Sequence, residues 1–286
     1  VRNAALRHPR LGALAGPRDI LRAALRASTT DRVSLAAAGC AFWATIALFP
    51  AIGALISTYS LIFDPATIAA HLDLLADLLP PPAFELIQDR VRALTQNGGG
   101  GFSLHLLTSI VFALSGAAAG TKSMLSALNV VYDVDEQRGL IRFQLIGLGL
   151  TGLAVVAGVV AVAGVVVLPA LLAFLGLGSG GAVLIHAAGL GVVVCVFAGA
   201  IALIYRVGPS RQRPPGAPSW PGAGVATLLW LIASAALSYY VSHIARFGAT
   251  YGPIGAVVGI MLWFYVSAYA TLLGAEVNAR LESRAR

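Results

Sequence analysis

From Tyr251 to Leu281 the chain reads YGPIGAVVGIMLWFYVSAYATLLGAEVNARL, about two dozen nearly unbroken apolar residues leading into Glu276, Asn278 and Arg280. Roughly 20 residues of helix cross about 30 Å of hydrocarbon, so a run of this length spans a bilayer. Its polar end then has to sit at an interface, or be sheltered where the helix leaves the lipid. This one run sets the solvent of the whole protein.

Composition extends the point to the rest of the chain. It is 58% hydrophobic and 11% charged, whereas a soluble domain carries about 25% charged residues. Such a chain cannot cover itself with polar surface, and it reads as an all-α integral membrane protein. Apolar runs at about 35–62, 103–131, 141–168, 182–205, 222–245 and 253–277 give six transmembrane helices. The second is the least hydrophobic; its lipid crossing is expected to end near Thr121, with Lys122 to Tyr132 along or below the interface. The domain plan is a basic N-terminal region over 1–34, a transmembrane domain over 35–281 and a tail over 282–286.

The net charge of +7 could suggest a nucleic-acid partner, but its distribution argues otherwise. Seven arginines (Arg2, Arg7, Arg10, Arg18, Arg22, Arg26, Arg32) precede the first apolar run. Lys122, Arg138 and Arg142 flank the second connection, Arg206, Arg211 and Arg213 the fourth, and Arg280, Arg284 and Arg286 follow the last span. The first, third and fifth connections hold only Arg90, Arg92 and Arg246. Basic residues concentrate on the cytoplasmic side, so both termini are expected in the cytoplasm of a multi-pass protein of the bacterial inner membrane. The first apolar run is too long for a signal-peptide core and is expected to stay as an uncleaved anchor.

Two segments outside the spans have helical pattern. Pro17 suits a first helical turn, and Arg18, Arg22 and Arg26 recur along one face while Ile20, Leu21, Ala24 and Leu25 cover another. That describes an interfacial amphipathic helix with its basic stripe near phospholipid headgroups. In the first outer loop, about 64–101, Ile68, Leu72, Leu75 and Leu79 make one stripe and Phe84, Ile87, Val91 and Leu94 a second. Pro80, Pro81 and Pro82 separate them, which predicts an amphipathic helical hairpin.

Enzymatic motifs are missing. The histidines His8, His71, His105, His186 and His243 form no pair at ligand spacing, and Cys40 and Cys195 lie singly in apolar runs. A metal centre needs several ligands converging on one ion, and no such set is present. There is no G-x-S-x-G elbow, no Walker lysine and no H-E-x-x-H. Neither a catalytic residue, a metal nor a cofactor is expected.

What remains is polar residues at membrane depth, which are costly unless sheltered and so are functional candidates. Ser115, Lys122, Ser126 and Asn129 lie near one stripe of the second span, and Glu276 and Asn278 close the sixth. A glutamate opposite Lys122 or Asn129 would be satisfied inside a bundle, and the same contact could serve as simple glue between helices. Gly116-x-x-x-Gly120 and Gly255-x-x-x-Gly259 permit close helix approach.

Several segments together resemble the YihY/virulence factor BrkB family of bacterial inner-membrane proteins. Ala41-Phe42-Trp43 through Leu48-Phe49-Pro50 is similar to its early Phe-Pro helix. Ser126-Ala127-Leu128-Asn129-Val130-Val131-Tyr132, followed by Glu136 and Arg138, resembles its Asn-x-x-Tyr segment. Tyr251-Gly252, Trp263 and Gly274-Ala275-Glu276-Val277-Asn278 match its closing motif. The resemblance runs from about residue 20 to 282; Pro253 departs from it, where a small residue is usual, and predicts a stiffer start to the last helix. It implies six spans with cytoplasmic termini and a role in envelope lipid or glycolipid movement. It also carries an older ribonuclease BN label, which the residues oppose, since no basic groove with interleaved aromatics offers itself to RNA.

Two functions follow as expectations: a transporter or flippase-like protein for an amphiphilic anionic lipid, or a structural protein organising an envelope complex. A membrane ribonuclease comes last. Membrane lipids are the expected partners, nucleic acid is not, and a homo-oligomer or a partner protein is left open.

Overall fold

Long apolar stretches fold as helices over nearly their whole length. The computed structural model describes residues 16–59, 104–173, 179–211, 218–243 and 253–284, and every regular element among them is an α-helix. The helices are α1 (Pro17–Thr30), α2 (Val33–Tyr59), α3 (Leu104–Val131), α4 (Leu140–Ala173), α5 (Ser179–Val207), α6 (Trp220–His243) and α7 (Pro253–Arg284). The predicted hairpin at 64–101 lies outside the described residues, as do Tyr251 and Gly252.

Six helices, α2 to α7, carry segments long and apolar enough to cross a bilayer, so the protein is a six-span, all-α membrane protein. Large apolar side chains such as Phe112, Leu145, Val156, Val159 and Leu228 are exposed on them, as lipid-facing positions should be. α3 continues without a break to Val131, the end of the apolar run read from the sequence, and Ala127, Leu128 and Val131 are buried in the protein. α7 runs on to Arg284, so Asn278, Arg280 and Glu282 stand on a helix rather than at the root of a tail.

Two compact units divide the chain. The first comprises Val1–Ala37, Thr121–Ala233 and Ser267–Arg286; the second comprises Ala38–Gly120 and Ser234–Val266.

In the second unit, α3 lies against α2 where side chains are smallest. A Cβ on Gly116 would sit 3.0 Å from the Ala47 Cβ, and one on Gly120 3.6 Å from the Trp43 Cβ. This glycine pair therefore serves helix approach, whereas Gly259 has nothing within 4 Å. Pro50 lies within α2 and removes one backbone donor there, and Phe49 beside it is exposed. Trp263 Nε1 donates to Ser234 Oγ at 3.2 Å, tying α7 to α6.

In the first unit, α4 and α5 pack along each other. The hydroxyls of Thr121 and Thr151 bond at 2.9 Å, and Phe197 stacks on Trp230 with centroids 4.2 Å apart. α6 and α7 approach closely at a pair of glycines. A Cβ on Gly222 would fall 2.6 Å from the Gly274 oxygen, and one on Gly274 2.6 Å from both the Gly222 oxygen and the Ala226 Cβ. Buried Tyr205 donates its hydroxyl hydrogen to the Thr271 carbonyl.

α1 belongs to this unit as well. Pro17 occupies its first turn, and Asp19 caps it by accepting from Gly16 N at 3.1 Å. Arg18, Arg22 and Arg26 are exposed, while Ile20 and Ala24 are buried with Val277 and packed by Val225 and Leu281. Its apolar edge is thus covered by the ends of α6 and α7. Leu25, expected on that edge, is exposed, because the buried stripe follows residues 20, 24, 27 and 28 at helical spacing.

Candidate functional site

Polar side chains of the first unit gather where α3 and α5 end and α7 closes. The end of α3 dictates the first part. Val134 N bonds the Asn129 carbonyl at 2.9 Å and Asp133 N the Val130 carbonyl at 3.1 Å, with Asp133 at φ 50°. This is a Schellman motif in which aspartate takes the left-handed position usually held by glycine. It turns the chain sharply enough for residues 134–138 to fold back beside the helix end.

Asn129, 6% exposed, then holds two connections together. Its Nδ2 donates to Glu136 Oε2 at 2.8 Å, and its Oδ1 accepts from Ser210 N at 2.8 Å. Arg138 grips the same carboxylate through Nε at 2.7 Å and Nη2 at 2.8 Å, its backbone N bonds Oε1 at 3.0 Å, and Nη2 also reaches the Gly208 carbonyl at 2.8 Å. Gln137 N donates to Ser210 Oγ at 3.1 Å. The Arg138 guanidinium, helped by Asn129, holds the Glu136 carboxyl down at about 2. This group is a clip between the segment after α3 and the segment after α5.

A second network joins α7 to Tyr132 and Arg211, with Asn278 Oδ1 and Arg211 Nη1 buried and without a hydrogen-bond partner among the described residues. Asn278, fully buried, donates from Nδ2 to Tyr132 Oη at 3.1 Å and to Glu282 Oε1 at 3.2 Å. Arg211 Nη2 donates to the same Glu282 oxygen at 2.9 Å, and its guanidinium lies over the Tyr132 ring at 4.2 Å. Burial pushes the Tyr132 phenol above its ordinary range, with the Asn278 bond and Arg211 opposing. Asn278 and Glu282 are one turn apart on α7 and face one partner set, as i, i+4 residues do.

Glu276 points elsewhere. It is 0% exposed, and neither carboxylate oxygen accepts a hydrogen bond from a donor among the described residues. Its charged neighbours are Arg280, whose Nη2 lies 3.9 Å from Oε2, and Asp31. Asp31 sits at the corner between α1 and α2, where Asp31 N bonds the Ala27 carbonyl and Arg32 adopts φ 52°.

The structure therefore separates residues that the sequence placed on one path. Ser115 belongs to the second unit, is exposed and bonds back to the Phe112 carbonyl at 2.9 Å. Ser126 is exposed, and the Lys122 stem lies 3.1 Å from the Cβ position of Gly147. Asn129 is bonded to Glu136 and Ser210, not to Glu276, so the expected pairing of Glu276 with Lys122 or Asn129 is replaced by Asp31 and Arg280. Sequence reasoning missed Asp31, Arg211, Ser210 and Glu282 as members of these clusters. Only Glu282 left a signal, its spacing of four from Asn278. Among the described residues, no group of three His, Cys, Asp or Glu side chains could hold a metal ion.

Comparison with known proteins places this arrangement. A family model described as virulence factor BrkB matches residues 24–286. The chain is 30% identical over 246 residues to a putative ribonuclease-like protein YfkH of Bacillus subtilis, covering 80% of this chain and 86% of that protein. It is 33% identical over 87 residues to a UPF0761 membrane protein of Tolumonas auensis, covering 29% of this chain and 27% of that one. No solved structure matches.

Proposed function

The chain belongs to the virulence factor BrkB family, and from that membership and the site geometry we propose that it moves an amphiphilic anionic lipid or glycolipid across the inner membrane, as a transporter or flippase. The observation that carries this is the contrast among carboxylates at one end of the first unit. Glu136 and Glu282 accept hydrogen bonds from arginine and amide donors, as groups that only hold helices together should. Glu276 is wholly buried and accepts none from such donors. A buried ionisable group left in that condition is retained for movement rather than for cohesion.

The lipid class is supported by α1. Arg18, Arg22 and Arg26 are exposed along one face of the helix, and each basic residue near an anionic leaflet contributes about 1 kcal/mol of attraction. Cytoplasmic termini, the reading of the arginine asymmetry, would set this helix against the leaflet richest in anionic lipid. We assign Asn129 to the clip, Asn278 to the second network, and Glu276 to the path. A second reading, a non-transporting scaffold, is favoured by the hydrogen bonds through which Asn129 and Asn278 tie segments together.

Vesicles containing purified protein and a headgroup-labelled phosphatidylglycerol test the choice. The wild type should speed transbilayer movement over protein-free vesicles. Glu276→Gln should slow it about 10-fold or more, the scale of about 1.4 kcal/mol on a barrier, at unchanged protein abundance. A wild type that leaves lipid movement at the protein-free rate would reject transport and leave the scaffold.

A further inference from the structure

We propose that Lys122, Ser126 and Gln144 form a site in the groove between α3 and α4 that holds the phosphate of an anionic phospholipid. Lys122 is the single lysine among the 19 basic residues of the sequence, and the only Asp, Glu, Lys or Arg on α3. It stands within the membrane-spanning stretch Leu107–Val131, where a charge is costly unless something answers it. No carboxylate among the described residues does so: Lys122 takes part in none of their ion pairs.

The backbone of α4 sets where the lysine lies. Gly147 has no Cβ, and the Lys122 stem crosses it, with Cγ 3.1 Å and Cδ 3.7 Å from the place a Cβ would take. Next to this contact Thr121 bonds Thr151 at 2.9 Å, so the two helices run in opposite directions here. Ser126 follows Lys122 by four residues and Gln144 precedes Gly147 by three, spacings that keep each on the face of its helix carrying that contact. Both therefore stand one turn nearer the α3–α4 connection, at a common level, and both are exposed. The groove thus presents an ammonium, a hydroxyl and an amide, all of them donors. Phosphate oxygens accept from such donors, most strongly from the charged one.

The flanks of the groove distinguish a lipid from a free anion. Leu140 and Ile141, at the start of α4, are 86% and 78% exposed, and Val130 and Leu145 are exposed beside them. Large apolar side chains left this bare on a spanning helix lie against lipid, so the bilayer extends past Lys122 toward the ends of both helices. A ligand entering such a groove from the side needs acyl chains for the flanks and anionic oxygens for the lysine. A phospholipid has both, whereas inorganic phosphate has only the second. The apolar stem of Lys122 and its mobile charged tip suit this boundary. Binding stands on this geometry alone; that the lipid held here is the one carried across rests on the transport reading above.

A single lysine makes the site directly readable. The purified full chain in detergent is treated with an amine-reactive reagent, and label on Lys122 is followed by mass spectrometry of its peptide. Phosphatidylglycerol in the micelles should slow labelling about 10-fold, and phosphatidylcholine, whose own cation offsets its phosphate, by no more than about 2-fold. In native mass spectrometry Lys122→Gln should lose the most tightly held phosphatidylglycerol, and Lys122→Arg should keep it. Should Lys122→Gln not fold, the double variant Ser126→Ala, Gln144→Leu decides, since both positions are exposed; it should lose most of the protection of Lys122. Equal protection by the two lipids, or full protection in the double variant, overturns the proposal. Protection by inorganic phosphate alone overturns it in favour of a free-anion site. A Lys122 shielded without lipid and uncovered on dilution overturns it in favour of a second copy of the chain. The two readings fail separately: protection without lipid movement rejects transport and keeps the site, and lipid movement without protection does the reverse.

Discussion

Glu136 and Glu276 show how differently two carboxylates of one unit can be used. Glu136 is bound by Asn129 and by Arg138 through three of its nitrogen–oxygen contacts, and Arg138 together with Asn129 holds it at about 2, below the usual 4.5. A depressed folded-state value contributes stability that is fully present above about 4.5 and is lost as pH falls toward 2. Comparing thermal midpoints of wild type and Glu136→Gln in detergent should therefore show a gap at neutral pH that closes as the solution is acidified toward 2. A gap that stays constant across that window would mean the charge on Glu136 does not hold the clip. Because this glutamate is partly exposed, solvent screening keeps the gap small. The sequence displayed Asn129, Tyr132, Glu136 and Arg138 as one motif, and their proximity along the chain made the clip partly readable. Asp31 was not readable: in Thr30-Asp31-Arg32 an acid beside a base looks neutral, and a carboxylate it neighbours, Glu276, lies on α7.

At the scale of helices, the glycines divide by what faces them. Gly274 and Gly222 meet backbone to backbone, and a Cβ on Gly274 would also fall 2.7 Å from the Tyr205 hydroxyl. Gly274→Ala should cost about 1–3 kcal/mol through overpacking. Gly259→Ala, with nothing within 4 Å, should change stability by no more than about 0.5 kcal/mol. Thermal midpoints of the two variants check this, and equal losses would contradict the α6–α7 contact. The existence of the spans was legible from their unbroken apolar length, and so was the use of Gly116 and Gly120 as a packing surface. Which glycines would meet was not, since two Gly-x-x-x-Gly pairs look alike until a second helix is set against one of them. The fate of α1 was hidden for the same reason. An amphipathic pattern shows which edge is apolar, and Ile20 and Ala24 were found on it, but it does not say whether lipid or protein covers that edge.

For the molecule as a whole, the even number of spans among the described residues and the arginine distribution lead us to expect α1 and the end of α7 both at the cytoplasmic face. With Cys40 and Cys195 replaced, Arg26→Cys and Ser283→Cys, both at exposed positions, should each react with an impermeant thiol reagent only after the cytoplasmic face is opened. Labelling of one from outside intact spheroplasts would break the six-span topology. Within the first unit, the earliest of the described helices docks on residues of the last: Ile20 and Ala24 pack with Val277, and Asp31 lies near Glu276. Ribosomes make these partners some 245 residues apart, so α1 leaves the ribosome long before anything exists for it to bind. Through nearly all of synthesis its apolar edge has only lipid or a chaperone for company. Completion of α7 is then the event that locks the start of the chain in place, and a nascent chain stalled before Glu276 would betray itself by a loose first helix.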